Sequence, residues 1–178
     1  PYFRAMRDDI TVTRFPTFAD LLYYMEGSAL PVGRVMVYMV GVRAPHTVED
    51  TLPHADSLSI AMQLSNFWRD VGQDWRIGRV YLPQEDMAQF GVPEADLAAG
   101  RVTPAFIRLM EFEMARAEGY YEHARAGVRQ LARGRWAVMA ALEVYRAIHA
   151  GIRHNGYDVF TKRATTTHLQ KVRLALRA

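Results

Sequence analysis

The chain has 178 residues, half of them hydrophobic, a formal net charge of +3 and no cysteine. Enough apolar material is present for one domain with a sizeable core, so a disordered tail is excluded, as are a disulfide framework and a thiolate metal site. The mild basic balance suits a polyanionic small substrate, an anionic membrane surface or nucleic acid equally. The longest apolar run, Val35 to Val42 with Gly41 inside it, is far short of the roughly 20 residues that span a bilayer, so a cytoplasmic protein, or one peripheral to a membrane, is expected.

Residues 1 to 10 carry acidic side chains and no apolar h-region, so they are not expected to be a targeting signal. They read as the end of a helix, and with no initiator Met the chain is expected to be a piece of a longer protein. Arg14 to Thr17, with Pro16, is a connector, and a helix starts near Thr17, which caps Phe18, Leu21, Leu22 and Met25. From Tyr23 to Arg34, Gly27, Ser28, Ala29, Pro31 and Gly33 interrupt an apolar helical pattern. That combination permits a kink and a close approach; tight packing against a neighbouring helix would use the same residues. A connector around Arg43 to Thr51, with Pro45 and Pro53, precedes a long helix.

That helix carries the most informative stretch. Each helical residue advances by about 100°, so Gln63, Asn66, Asp70 and Asp74 fall within one stripe roughly 80° wide. Ile60, Leu64, Phe67 and Val71 form an adjoining apolar stripe, and Arg69, Gln73 and Arg76 lie on the other flank. Asp70 and Asp74, one turn apart, suit a hard divalent cation, and Asn66 adds a neutral oxygen one turn earlier. Magnesium takes only one or two protein carboxylates and completes its shell with water and phosphate oxygens, so such an array implies a phosphorylated ligand. Judged on spacing alone, a solvated face with local ion pairs fits too.

Gly72 sits inside this helix at some cost in propensity. Gly78 ends it, and Val80-Tyr81-Leu82-Pro83 leads away as an extended loop, either a lid over bound diphosphate with Arg79 and Tyr81 pointing in or an ordinary surface connection. Glu85 to Phe90 and Pro93 to Ala99 are short helices or turns. Thr103-Pro104 starts a long helix whose core face is Phe106, Met110, Met114, Ala117 and Tyr121. Gly127 and Gly134 bracket the next break. Trp136 to Ile152, apolar around most of its circumference, is expected at the centre of a bundle. His149 and His154 lack the one-turn spacing of a zinc pair and are assigned no metal. Asn155-Gly156-Tyr157 is a turn, and Thr167 to Leu176 is a final basic amphipathic helix, a candidate for contact with anionic lipid but by default a solvated end. There is no sustained strand alternation, repeat, phosphate loop or RNA-binding box, so an all-α bundle with no nucleic-acid partner is expected.

The run from Gln63 to Asp74, followed by Gly78-Arg79-Val80-Tyr81-Leu82-Pro83, resembles the second aspartate-rich motif of the squalene/phytoene synthase family. Ser28-Ala29-Leu30-Pro31-Val32-Gly33-Arg34, Asn66-Phe67-Trp68 and Tyr81 to Asp86 look closest to its bacterial hydroxysqualene synthase branch. Tyr157-Asp158-x-Phe160-x-x-Arg163 resembles the family's C-terminal signature. The resemblance implies the all-helical isoprenoid synthase fold around a central cavity, the chain forming the C-terminal portion of one domain over 1-178, with the first aspartate-rich motif upstream. It implies head-to-head joining of two prenyl diphosphates with Mg²⁺. By it, Asn66, Asp70 and Asp74 are metal ligands and Asp70, Asp74, Arg69 and Tyr81 are catalytic. Tyr24, Gly33, Gln63, Arg69, Arg79, Tyr157 and Arg163 bind substrate. The C15 substrates of squalene-type enzymes are favoured; geranylgeranyl diphosphate and phytoene are the alternative, and a non-catalytic scaffold is the second. NADPH, which the final reduction to squalene needs, has no nucleotide motif here.

Overall fold

The computed structural model describes residues 11–165. The expected helix end before residue 10 and the final helix at 167–176 lie outside them. Within them the chain forms α1 (Phe18–Ser28), α2 (Leu30–Val40), α3 (Val48–Arg76), α4 (Gln84–Phe90), α5 (Glu94–Ala98), α6 (Pro104–Val128) and α7 (Arg135–His154). The described residues contain no strand, only the isolated bridges Arg14 to Val80 and Val42 to Leu131.

Side chains set the helix starts. Thr17 and Thr47 each accept from the backbone N–H three residues on, and Asp20 and Asp50 answer from that third position, so both helices open on a capping box. Such a cap contributes about 1 kcal/mol. The interrupted stretch becomes two helices rather than one kinked one: α1 ends at Ser28, and Pro31 falls in the first turn of α2, where its missing N–H costs nothing. The connector expected through Thr51 is shorter. α3 begins at Val48 and carries Pro53 inside it, where one backbone bond near the helix start is given up.

α3 is the central helix, packed against α2, α6 and α7. The place expected for α7 is therefore taken by α3. α7 buries Leu142, Ile148, His149 and Ile152, while Glu143, Arg146 and Arg153 flank that face and pair with α6; these three charges make it amphipathic. The core between α1, α3, α5 and α6 includes Leu21, Met25, Leu64, Trp68, Leu97, Phe106 and Met110.

Candidate metal and diphosphate site

The stripe on α3 divides into two environments. Gln63 and Asn66 border an apolar cavity of about 480 Å³ between α2, α3, α6 and α7. Asp70 and Asp74 lie beyond its end, partly buried. Both oxygens of Asp70 accept from two guanidinium groups. Arg69 donates from Nε to Oδ1 at 2.9 Å and from Nη2 to Oδ2 at 2.5 Å. Arg163 donates from Nε to Oδ1 at 2.9 Å and from Nη2 to Oδ2 at 3.1 Å. Burial alone would raise the Asp70 carboxyl, but hydrogen bonds and charge from these arginines hold it below the usual carboxylate range. Asp74 behaves oppositely: burial first and the charge of Asp70 second push it up to about 6, against the pull of Arg79 and Arg69. Negative charge is thus compensated at one carboxylate and under-compensated at its neighbour.

Arg163 reaches Asp70 because of Gly72. A Cβ there would lie 2.6 Å from Phe160 Cα and 2.8 Å from the Val159 carbonyl oxygen, so only glycine admits the segment after α7. The Gly72 N–H donates to that carbonyl at 3.3 Å, and Asp158 accepts from the N–H groups of Phe160 and Thr161 and from the Thr161 hydroxyl. The helix-weakening residue is what docks the arginine.

On the other side Arg79 Nη1 donates to the Tyr81 hydroxyl at 2.8 Å. Asp74, Arg79 and Tyr81 share a crevice of about 10 Å³ with Phe67 and Leu97. The Tyr81 ring stacks on Phe67 at 3.8 Å between centroids and on Phe15 at 5.5 Å, and Tyr24 lies 5.2 Å from Phe15. The loop expected to be a lid or surface connection is neither: Val80, Tyr81, Leu82 and Pro83 are buried. The N–H groups of Val80, Gln84 and Glu85 donate to the carbonyls of Thr13, Phe15 and Pro16 at 2.9, 2.9 and 3.0 Å. Glu85 accepts from the Phe18 N–H at 2.7 Å. The loop is a strap, fixed because its own side chains belong to the core.

Asp70 with Arg69 and Arg163, and Asp74 with Arg79 and Tyr81, therefore gather at the C-terminal part of the stripe, and Tyr24 joins through the aromatic cluster, while Gln63 and Asn66 stand further along the same helix at the cavity. Gly33 lies apart from the carboxylates: it lines the cavity and lets α2 approach α3, a Cβ there falling 2.2 Å from Ser59 Oγ. Tyr157 is not brought to the stripe. Its hydroxyl donates to Glu111 at 2.6 Å, beside Arg153, and its backbone has a positive φ of 61°, so it secures the turn after α7. Arg76 donates to the Gly72 carbonyl at 3.1 Å.

Tyr145 is missing from the sequence reading. It lines the cavity with Gln63 and Asn66, and no local signal separates it from the other apolar residues of α7. Two buried polar groups are also new. Ser65 Oγ meets the Tyr121 hydroxyl at 2.7 Å and His149 Nε2 at 3.0 Å, and His149 Nδ1 meets Glu118 at 2.9 Å, which accounts for His149 without a metal. Glu113, within the apolar stripe of α6, and Asp86 of α4 share Arg116.

The donor set fits Mg²⁺. Two carboxylates and an amide oxygen follow one another by single turns, although no group of three or more His, Cys, Asp or Glu side chains among the described residues is placed to hold a metal ion by itself. A cation that keeps waters and takes phosphate oxygens needs no more, and the raised Asp74 marks where added positive charge is accommodated.

The fold and this stripe together make an all-α bundle in which a row of oxygen-bearing side chains on one helix runs beside an apolar cavity. The profile of the squalene/phytoene synthase family matches residues 2–170, and the chain belongs to that family. It is 42% identical over 167 residues to the 15-cis-phytoene synthase of Synechococcus elongatus, covering 89% of this chain and 54% of that one. It is 40% identical to the chloroplastic phytoene synthase 1 of Arabidopsis thaliana, covering 94% and 40%. Among solved structures, a ligand-bound dehydrosqualene synthase superimposes with a TM-score of 0.90 at 28% identity, covering 98% of this chain and 60% of that one. Squalene synthase HpnC from Alicyclobacillus acidocaldarius gives 0.78 at 29% identity, covering 87% and 58%. The chain thus has the all-α isoprenoid synthase fold and spans about half the length of the curated relatives it matches.

Proposed function

We propose that the protein carrying this chain is a Mg²⁺-dependent head-to-head prenyl transferase, the chain being the C-terminal portion of one all-α domain. The observation that carries the reading is the stripe itself, polar from Asp74 to Gln63 and opening onto an apolar cavity at Asn66. Phosphate chemistry and hydrocarbon burial are juxtaposed on one helix. Asn66, Asp70 and Asp74 would hold the metal, which when bound supplies positive charge to a departing diphosphate. Arg69, Arg79 and Arg163 share that charge through geometry suited to phosphate oxygens. Gln63 and Tyr145 border the junction, Tyr81 holds Arg79 in place, and the cavity wall keeps water from an allylic cation.

Thr51, His54, Ala55, Leu58, Ser59, Met62, Gln63 and Asn66 form one continuous wall of the cavity, about 22 Å long at about 1.5 Å rise per residue, which has room for a chain of up to about four prenyl units. The identity to phytoene synthases supports geranylgeranyl diphosphate and a phytoene-type product over the C15 substrates expected from the Ser-Ala-x-Pro-Val-Gly-Arg run. No helix among the described residues is long and apolar enough to cross a membrane; a cytoplasmic or membrane-peripheral location belongs to the proposal.

The test is product analysis on the complete open reading frame with Mg²⁺, offering geranylgeranyl, farnesyl and presqualene diphosphates separately, with and without NADPH. A C40 product, reduced at least about 100-fold in Asp70→Ala, is expected. A C30 product keeps the chemistry and restores the squalene-type choice. No product from any substrate, with variant and parent alike, replaces the enzyme with a scaffold.

A further inference from the structure

The acceptor positions of Asp70 are fully used. A carboxylate offers about four lone-pair sites, and four N–H groups, two from Arg69 and two from Arg163, converge on its oxygens. A cation that ligates Asp70 must displace at least one of them. The two arginines are not equally held. Arg69 is the next residue on the same helix and its side chain is 18% exposed, whereas Arg163 stands on the non-helical segment after α7 with its side chain 57% exposed.

We infer that Arg163 links cation binding to diphosphate binding: it occupies Asp70 until a diphosphate draws its guanidinium away, so metal and anion load together. The planar guanidinium fork matches a phosphate as well as a carboxylate. Transfer from Asp70 to the anion therefore exchanges one bidentate contact for another, and it frees carboxylate oxygens for the cation. A cation arriving alone must break the Arg163 contact without that exchange, and Mg²⁺ is a poor competitor because it parts reluctantly with its waters. Linkage is reciprocal, so the anion tightens the cation by the factor with which the cation tightens the anion. The identity of the anion rests on the function proposed above; the competition at Asp70 does not.

The experiment measures Mn²⁺ binding to the protein by the loss of its free-ion paramagnetic resonance signal relative to a protein-free sample of the same Mn²⁺ and pyrophosphate content. It uses the complete open reading frame, with and without inorganic pyrophosphate, in the parent and in Arg163→Gln, Arg163→Lys and Asp70→Asn. In the parent, pyrophosphate is expected to tighten Mn²⁺ at least about fivefold, the lower range of ordinary site-to-site coupling. In Arg163→Gln, Mn²⁺ alone should bind at least about fivefold tighter than in the parent, and the pyrophosphate effect should shrink. Arg163→Lys, a point charge in place of a planar fork, should fall between, and Asp70→Asn should bind less Mn²⁺ than the parent in both conditions. Unchanged or weaker Mn²⁺ binding in Arg163→Gln, an undiminished pyrophosphate effect, or parent-like binding in Asp70→Asn overturns the inference. A protein that shows this linkage but forms no prenyl product retains it while losing the proposed function; product formation with no Arg163 effect does the reverse.

Discussion

The two ends of α3 are built on opposite principles. At its C-terminal end Asp70 is held by two arginines, and Tyr81 by Arg79, Phe67 and Phe15. Toward its N-terminal half, the wall facing the cavity is made of small or flexible residues such as Ala55, Ser59 and Met62. There α2 leaves Val35, Tyr38 and Met39 more than half exposed, and its partly exposed Val32 and Met36 line the cavity. Charge placement tolerates little error, because electrostatic stabilisation depends on geometry fixed beforehand. A hydrocarbon chain needs only volume and dryness. The difference teaches that backbone-to-backbone contacts belong to the polar end and adjustable side-chain contacts to the apolar end.

Paired glycine substitutions can break that comparison. Gly72→Ala drives its methyl into the backbone of Val159 and Phe160, which cannot rotate away. A loss of about 3 kcal/mol is expected, the upper part of the range for overpacking, with Arg163 displaced from Asp70. Gly33→Ala meets chiefly the Ser59 hydroxyl, which can adopt another rotamer, with the Ala55 carbonyl next at 3.0 Å. About 1 kcal/mol is expected there. Urea unfolding of both variants measures the difference; equal costs would mean that the apolar end is as rigid as the polar one.

The two carboxylates give a smaller and pH-dependent contrast. Burial and the nearby Asp70 charge raise Asp74 to about 6, so the folded protein holds a proton there that the unfolded chain has released. Its stabilising contribution is complete below the unfolded carboxylate value, near pH 4, and is lost as pH rises through about 6. Asp74→Asn should therefore melt higher than the parent at pH 7 to 8, the gain fading toward pH 5, while metal-dependent activity falls. Asp70, held low by its arginines, should show the reverse sign, Asp70→Asn melting lower at pH 7. Thermal melts across pH 4 to 8 decide it.

The stripe was legible because helical periodicity alone sets it, and so was the all-α fold, whose long helices carry their own caps and apolar faces. The Asp70 to Arg163 pair was not legible as a contact, since the two residues lie far apart in sequence and meet only because Gly72 admits the segment between them. The strap was misread by weighing its Gly and Pro over its Val80, Tyr81 and Leu82, an apolar run that announces burial. α7 was misplaced because its apolar residues were counted without noting that Glu143, Arg146 and Arg153 fall on one side. Glu113 did leave a signal: a carboxylate between Phe106 and Ala117 on a core face needs a partner, and Arg116 one turn on supplies it. Asp86 arrives from α4, which local pattern does not reveal.

That partnership predicts a second pH-dependent effect and sharpens the account of the strap. One guanidinium, Arg116, serves two buried carboxyls, contacting Asp86 at 2.8 Å and Glu113 at 2.9 Å, and it lies over the Phe18 and Phe112 rings. One positive charge balances one carboxylate. Burial foremost, with the hydrogen bond and charge of Asp86 adding to it, raises Glu113 to about 8 against the attraction of Arg116. At pH 7 Glu113 is then mostly protonated and can donate to Asp86, a role the amide of Glu113→Gln reproduces. The variant should match the parent within about 0.5 kcal/mol near pH 4, below the unfolded carboxylate value. As pH rises from there through about 8 the unfolded parent gains a charge that the folded protein resists, until it too releases the proton and holds two buried charges against one, so the parent's stability should fall across that range while that of Glu113→Gln holds and the variant melts higher at pH 7. Melting temperatures at pH 4, pH 7 and pH 9 read the divergence. A variant as alkali-sensitive as the parent would mean that Glu113 is ionised throughout and that Arg116 balances both carboxylates.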